Sequence, residues 1–592
     1  MISNLKKTVS QLFLAVFSAC LAACAHDRPA APSEIADKIF FNGKIVTMDD
    51  EFSIVSALAV KDGRVAAVGN DETIRAMSGA RTERIDLAGR MMLPGLIDSH
   101  MHPNQAAVSE IDHSIPDMAS IDDVLAYVRA RAAVLPDGEW IWVRTVHPDR
   151  LKERRYPTRA ELDAAAPNHP VGYAAYIYFP KASFNSAALA LMGVDKDFVA
   201  DNPDDIERDP VSGEPTGLIR HHTRYAPDAG SVDETTDLQK ASLFREMMTI
   251  YNSTGLTTIS DRKATREWMD VYEQLDSDSA LTVRLSMMGE LNTSKDRQIS
   301  KIQQDIRALA DRAEGLNSPN LQLIGVKTFL DGGITSGTAY LLEPWGESDL
   351  YAIEDADYRG NLNLSGERLE QIIEATARAG LQYTGHTVGD GAVTELVRAY
   401  KAVSKRAPLR QTRPSLTHAN FMTPDVIETM SDVGIVADIQ PAWFYLDGAM
   451  MVEQLGKDRM RYFQPLNTLF GKGVMIGGGS DHWHRLDPDT AVNPFNPFLS
   501  MWITMARTPR FFNEQTLFPE EALTRREALR MYTTNNAFLL FRENEIGSLE
   551  AGKFADLIVV DRDVLECSLE DFRNTRVVQT YLNGDLVYTL SE

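Results

Sequence analysis

The sequence predicts an α/β protein: a TIM-type (β/α)8 barrel, a small β-sandwich domain built from both chain ends, and an α+β insertion after the first barrel strand. Three observations predict it. Both ends of the 592-residue chain share a β-rich texture. The long middle alternates short apolar runs with amphipathic helical stretches, as a parallel sheet with helices outside requires. Several of those apolar runs end in a histidine or an aspartate, where a barrel collects its functional residues.

Lys6 and Lys7 precede an apolar run from Leu12 to Ala23, too short to span a membrane. The run ends in Leu21-Ala22-Ala23-Cys24, which resembles the lipobox of bacterial lipoproteins, whose cysteine becomes the lipidated first residue. The expectation is a signal peptide over 1–23, lipidation at Cys24, and a tether over 24–34 holding Pro29 and Pro32. The protein is then exported and anchored by lipid to a bacterial membrane, facing the periplasm. Only Cys567 remains as a thiol, so no intrachain disulfide forms and the core must hold itself together. The net charge of -24 excludes nucleic acid as a partner, because too little positive charge is available to neutralise phosphates. The partner expected is a small-molecule substrate, with a homo-oligomer left open.

The small domain is expected over 35–92 and 544–592. Lys38 to Thr47, Ser56 to Asp62 and Arg64 to Gly69 read as short strands joined by Asn-Gly and Asp-Gly turns. Phe554 to Asp561 and Val577 to Tyr588, with Asn583-Gly584 between, repeat the pattern. The barrel is expected over 93–543. Its strands and helices alternate through Leu321–Phe329, Leu369–Ala379, Leu381–His386, Gly391–Val403, Ser415–His418 and Val474–Ser480.

Pro94-Gly95-Leu96-Ile97-Asp98-Ser99-His100-Met101-His102 is the strongest local signal. In an extended backbone residues i and i+2 share a face, so both imidazoles aim at one point. His386, His418 and Asp481 end later apolar runs, and Lys327 sits inside one, where an ammonium is costly to bury unless paired or chemically changed. The ordered series supplies the donors of a divalent metal site.

In order and context these pieces resemble the amidohydrolase superfamily, in particular amidohydrolase family 3, which includes enzymes like N-substituted formamide deformylase. They are the His100/His102 segment, Val326-Lys327-Thr328-Phe329-Leu330-Asp331-Gly332, His386-Thr387-Val388-Gly389-Asp390, His418, Gly479-Ser480-Asp481, and Gly547-Ser548-Leu549-Glu550-Ala551-Gly552-Lys553-Phe554-Ala555-Asp556. The resemblance implies that His100, His102, His386 and His418 bind metal and that Asp481 is both ligand and general acid/base. It makes Lys327 a candidate carboxylated bridge between two ions. The alternative is an amine paired with a carboxylate such as Asp331, beside one ion. Zinc suits the His/carboxylate set, and the implied chemistry is metal-assisted hydrolysis of a carbon–nitrogen bond other than a peptide bond. A lactonase or esterase on the same site, and a non-catalytic binding or regulatory lipoprotein, are the alternatives.

The resemblance also implies an insertion over 104–235, in which Phe184-Asn185-Ser186 matches the family's Asn-Ser motif. It departs from the family at Pro180, where a histidine is usual, at His221 and His222, where an acidic residue is common, and in Trp142 to Asp149, which lacks the usual glycines. Tyr173, Tyr176, Tyr178 and Phe179 read as strand-core packing or as an aromatic pocket wall, and His482, Trp483 and His484 as the site's edge or a solvent loop.

Overall fold

Eight parallel strands form the barrel: β1 (Leu96–Met101), β2 (Leu256–Ala264), β3 (Arg284–Glu290), β4 (Leu321–Phe329), β5 (Gln382–Thr387), β6 (Ser415–His418), β7 (Val436–Ile439) and β8 (Ile476–Gly478). Each pairs in parallel with the next, from β1 through to β8. The computed structural model describes residues 35–144, 146–174, 181–227, 235–316 and 318–591. The leader, Cys24, the tether, Tyr176, Tyr178, Phe179 and Pro180 lie outside them.

The barrel is nearly closed. Beyond the end of β8, the Asp481 N–H donates to the His100 carbonyl and the His102 N–H donates to the His482 carbonyl, each at 2.7 Å. Gly479 makes this approach feasible, since a Cβ there would lie 2.6 Å from the Cβ of His100. β1 is buried along its whole length, as a strand covered on both faces must be. The helices outside are amphipathic: Gly366–Arg378 buries Leu369, Ile372, Ile373, Thr376 and Ala377, one stripe at helical spacing.

The chain ends build two further sheets. One orders Arg64–Gly69, Ala57–Lys61, Lys38–Phe41 and Glu83–Asp86. The other orders Asp585–Thr589, Val577–Leu582, Leu557–Val560, Met91–Pro94, Lys44–Val46 and Ile54–Val55. Phe40, Leu58, Val60, Met92, Leu557 and Tyr581 form their shared core. Asp62-Gly63 and Asn583-Gly584 turn true antiparallel hairpins, with positive φ at both turn residues. The turn expected at Asn42-Gly43 differs: its flanking strands enter different sheets, so the chain crosses from one layer to the other there.

Met91–Pro94 ends the sandwich and β1 begins the barrel, with only Gly95 between. A Cβ at Gly95 would lie 2.1 Å from the Thr257 Oγ1, so the junction needs glycine. At the C-terminal return, buried Asp556 accepts two hydrogen bonds from Arg284 on β3, at 2.6 and 3.0 Å. The region after β1 folds as a five-stranded sheet of Ile206–Arg208, Pro215–Arg220, Lys181–Phe184, Val171–Tyr173 and Ile141–Val143, in that order. Helix Asp237–Ser253 then leads into β2.

Candidate metal centre

The six residues singled out along the barrel meet at the C-terminal end of its strands. The His102 Nε2 lies 3.2 Å and the His100 Nε2 3.4 Å from the Asp481 Oδ1. One donor atom each from His100, His418 and Asp481 falls within 4.8 Å of the others, and all three residues are buried. His386 and His418 meet edge to face with ring centroids 4.5 Å apart. The Lys327 Nζ is 3.1 Å from the His100 Nε2. The pairing of Lys327 with Asp331 does not form. The Asp331 carboxylate instead accepts backbone N–H bonds from Tyr340, Val388 and Gly389.

Outer hydrogen bonds decide which ring nitrogen faces inward. The His100 Nδ1 is 2.9 Å from the Asp438 Oδ2, the His418 Nδ1 is 2.7 Å from the Gln440 Oε1, and the His386 Nε2 is 3.1 Å from the Gly332 carbonyl. Each acceptor fixes a proton on the outer nitrogen and turns the other lone pair toward the centre. Asp438 is in turn held by the Ser99 Oγ at 2.7 Å and faces the Arg262 guanidinium at 3.5 Å. Asn493 donates to the Asp481 carbonyl at 2.8 Å and to its Oδ2 at 3.0 Å, leaving Oδ1 toward the histidines. Trp443 stacks on His418 at 4.3 Å. His418 and Asp481 hold φ of 71° and 57°, strained for side-chain-bearing residues and found here at two of the convergent side chains.

Burial and the neighbouring Lys327 keep the imidazoles neutral. His100 and His418 are held well below the ordinary histidine range, His102 is lowered, and His386 is pushed down to about 4. Burial likewise brings the Lys327 ammonium down to about 8. The neutral imidazoles of His100 and His418 and the Asp481 carboxylate, with donor atoms within 4.8 Å of one another, are a fitting donor set for a divalent cation, with His102 and His386 beside them.

Sequence reasoning missed Asp438, Gln440, Asn493 and Arg262. Asp438 had a signal, an acidic residue inside the apolar run Val436-Ala437-Asp438-Ile439. The ring of His482, next to Asp481, is committed elsewhere: its Nε2 donates to the Arg485 carbonyl at 2.7 Å, and its Nδ1 is 3.1 Å from the Tyr251 hydroxyl. Tyr173 is buried in the strand Val171–Tyr173 within the insertion's core.

A nearly closed parallel barrel with histidines and an aspartate at its strand ends defines the metal-dependent hydrolase class of barrel protein. The chain belongs to the amidohydrolase family, whose model matches residues 83–588. It is 28% identical over 569 residues to the N-substituted formamide deformylase of Arthrobacter pascens, covering 94% of this chain and 99% of that one. The YtcJ protein of Bacillus subtilis (strain 168) is 25% identical over 562 residues, covering 93% and 99%. An uncharacterized metal-dependent hydrolase from Pyrococcus horikoshii OT3 shares the fold with a TM-score of 0.63 at 21% identity, covering 90% of this chain and 99% of that one.

Proposed function

We propose that this protein hydrolyses a carbon–nitrogen bond other than a peptide bond in a small molecule, an N-formyl or N-acyl amine or a cyclic amide, with His100, His102, His386, His418 and Asp481 holding zinc. The observation that carries the reading is the Asp481 Oδ1, within 3.4 Å of two histidine nitrogens while Asn493 holds the other oxygen. That carboxylate has one oxygen for the centre and a fixed orientation for proton transfer. A divalent cation held there supplies Lewis acidity toward a carbonyl oxygen and a water of lowered pKa. Asp481 accepts the proton of the attacking water and returns it to the departing nitrogen. The amine at Lys327, close to His100 and brought down to about 8, suits carboxylation, in which the nitrogen bonds CO2 and releases a proton. A carbamate at Lys327 would offer anionic oxygen donors beside the histidines, where a second ion could be held. Similarity to a formamide deformylase over nearly the whole chain supports N-formyl amines as the first substrates to test.

A lipid anchor at Cys24 and a periplasmic location complete the proposal, on the strength of the Leu21-Ala22-Ala23-Cys24 segment. The test is turnover of N-formyl amines, N-acyl amines, cyclic amides and lactones by the metal-loaded protein. Hydrolysis of an amide class is expected, and lactone-only activity contradicts the reading.

A further inference from the structure

A cavity of about 520 Å³ is lined by the insertion, by later segments of the barrel and by the C-terminal stretch 573–576. Arg150, Arg485, Arg510, Arg573 and Arg576 face it. The lining itself carries two carboxylates, Asp117 and Asp489, and Asp447, Glu570 and Asp561 pair with Arg150, Arg573 and Arg576 from just outside it. His147, which also lines it, is held neutral by burial. Five arginines around one cavity, in a chain of net charge -24, need a reason.

The ion pairs around the cavity are uneven in strength. Asp117 faces both Arg485, at 3.3 Å, and Arg510, at 3.4 Å, and Arg485 also donates to the Pro116 carbonyl at 2.8 Å. The side chain of Arg485 is 92% buried, and its Nε has no hydrogen-bond partner among the described residues. Arg573 lies over the Trp502 ring at 4.5 Å and pairs loosely with the exposed Glu570, at 3.8 Å. Arg576 shares Asp561 with Arg562. Arg150 is the exception, satisfied by Asp447 at 2.7 and 3.0 Å. A buried guanidinium N–H without an acceptor, as at the Arg485 Nε, is costly, and an oxyanion is the ligand the planar fork of arginine matches.

We propose that this cavity binds a small anion bearing a carboxylate or phosphate group. The site stands whether or not the metal centre cleaves a carbon–nitrogen bond. It is wired to that centre: Arg150 donates to the Asn493 Oδ1 at 3.1 Å, and Asn493 donates to Asp481. The anion has two sources, an acidic group on the substrate itself or a separate small ligand.

Calorimetric titration of the metal-loaded full chain with inorganic phosphate, and separately with succinate, tests the site. Saturable binding of either anion is expected, weakened at least about tenfold by the double variant Arg510→Ala/Arg573→Ala. Arg576→Ala, whose side chain is 70% exposed, gives the same comparison if the double variant folds poorly. No saturable binding of either anion overturns the proposal. Binding of undiminished strength in the variants also overturns it, because the anion then sits elsewhere, the metal centre included. For an anion carried by substrate, the variants raise KM for acidic substrates only; for a separate ligand, phosphate changes the turnover of neutral ones.

Discussion

Replacing Asp438 by asparagine perturbs the centre without replacing a proposed metal ligand. The carboxylate accepts from the His100 Nδ1 at 2.9 Å and from the Ser99 Oγ at 2.7 Å. An asparagine that keeps its oxygen toward Ser99 presents its NH2 to Nδ1. The imidazole proton must then move to Nε2, the nitrogen that faces Asp481, and that lone pair is lost to a cation. Loss of such an outer partner weakens metal binding about 10–100-fold, or about 1.4–2.8 kcal/mol. The substitution also removes the carboxylate 3.5 Å from buried Arg262. Breaking a buried pair costs about 3–5 kcal/mol, and the lower end applies because Arg262 keeps its bond to the Ser99 carbonyl at 2.6 Å. Asp438→Asn is therefore expected to lose about 3 kcal/mol of stability and to bind zinc at least about tenfold more weakly. Chelator competition measures the affinity, and urea unfolding of the metal-free protein measures the stability. Wild-type zinc affinity in a variant that is folded would refute the orientation argument.

Asp481→Asn is expected to abolish turnover while the four histidines retain much of the metal; near-normal kcat would remove Asp481 from proton transfer. Gly479→Ala drives a methyl to 2.6 Å from the His100 Cβ, so calorimetry should show about 1–3 kcal/mol of destabilisation with reduced activity, and an unchanged Tm would contradict the tight seam. His482, pushed down to about 4 mainly by burial, binds a proton in the unfolded chain below 6.5 but not in the native one. Wild-type stability relative to His482→Gln should therefore fall between pH 6.5 and about 4 by on the order of 3 kcal/mol, and a pH-independent difference in urea midpoints would show that His482 is not held neutral.

The barrel was legible because parallel strands buried on both faces read as apolar runs, and because the residues ending them break that pattern. His100, His386, His418 and Asp481 stood out for this reason, and the structure gathers them with His102 and Lys327 at one mouth. The sandwich was legible from its Asp-Gly and Asn-Gly turns. Asn42-Gly43 misled because a turn sequence specifies local chain reversal, whereas the sheet each flanking strand joins is set by distant partners such as Met91–Pro94 and Glu83–Asp86. Asn493 and Arg262 were not legible at all. One lies in a loop and the other inside a strand, and neither carries a periodic signature; their roles exist only through contacts made across long sequence separations. His482 looked like part of the site by adjacency to Asp481, yet its ring is committed elsewhere, to Tyr251 and Arg485.

The central claim is that His100, His102, His386, His418 and Asp481 form a metal centre. Elemental analysis of the full chain purified without chelator, beside a His100→Asn/His418→Asn variant confirmed to be folded, tests it most directly. The account predicts at least one divalent metal, zinc foremost, per wild-type chain and its loss from the variant. A folded wild-type chain that takes up no divalent metal even when zinc is supplied, or a variant that retains the full complement, would contradict it.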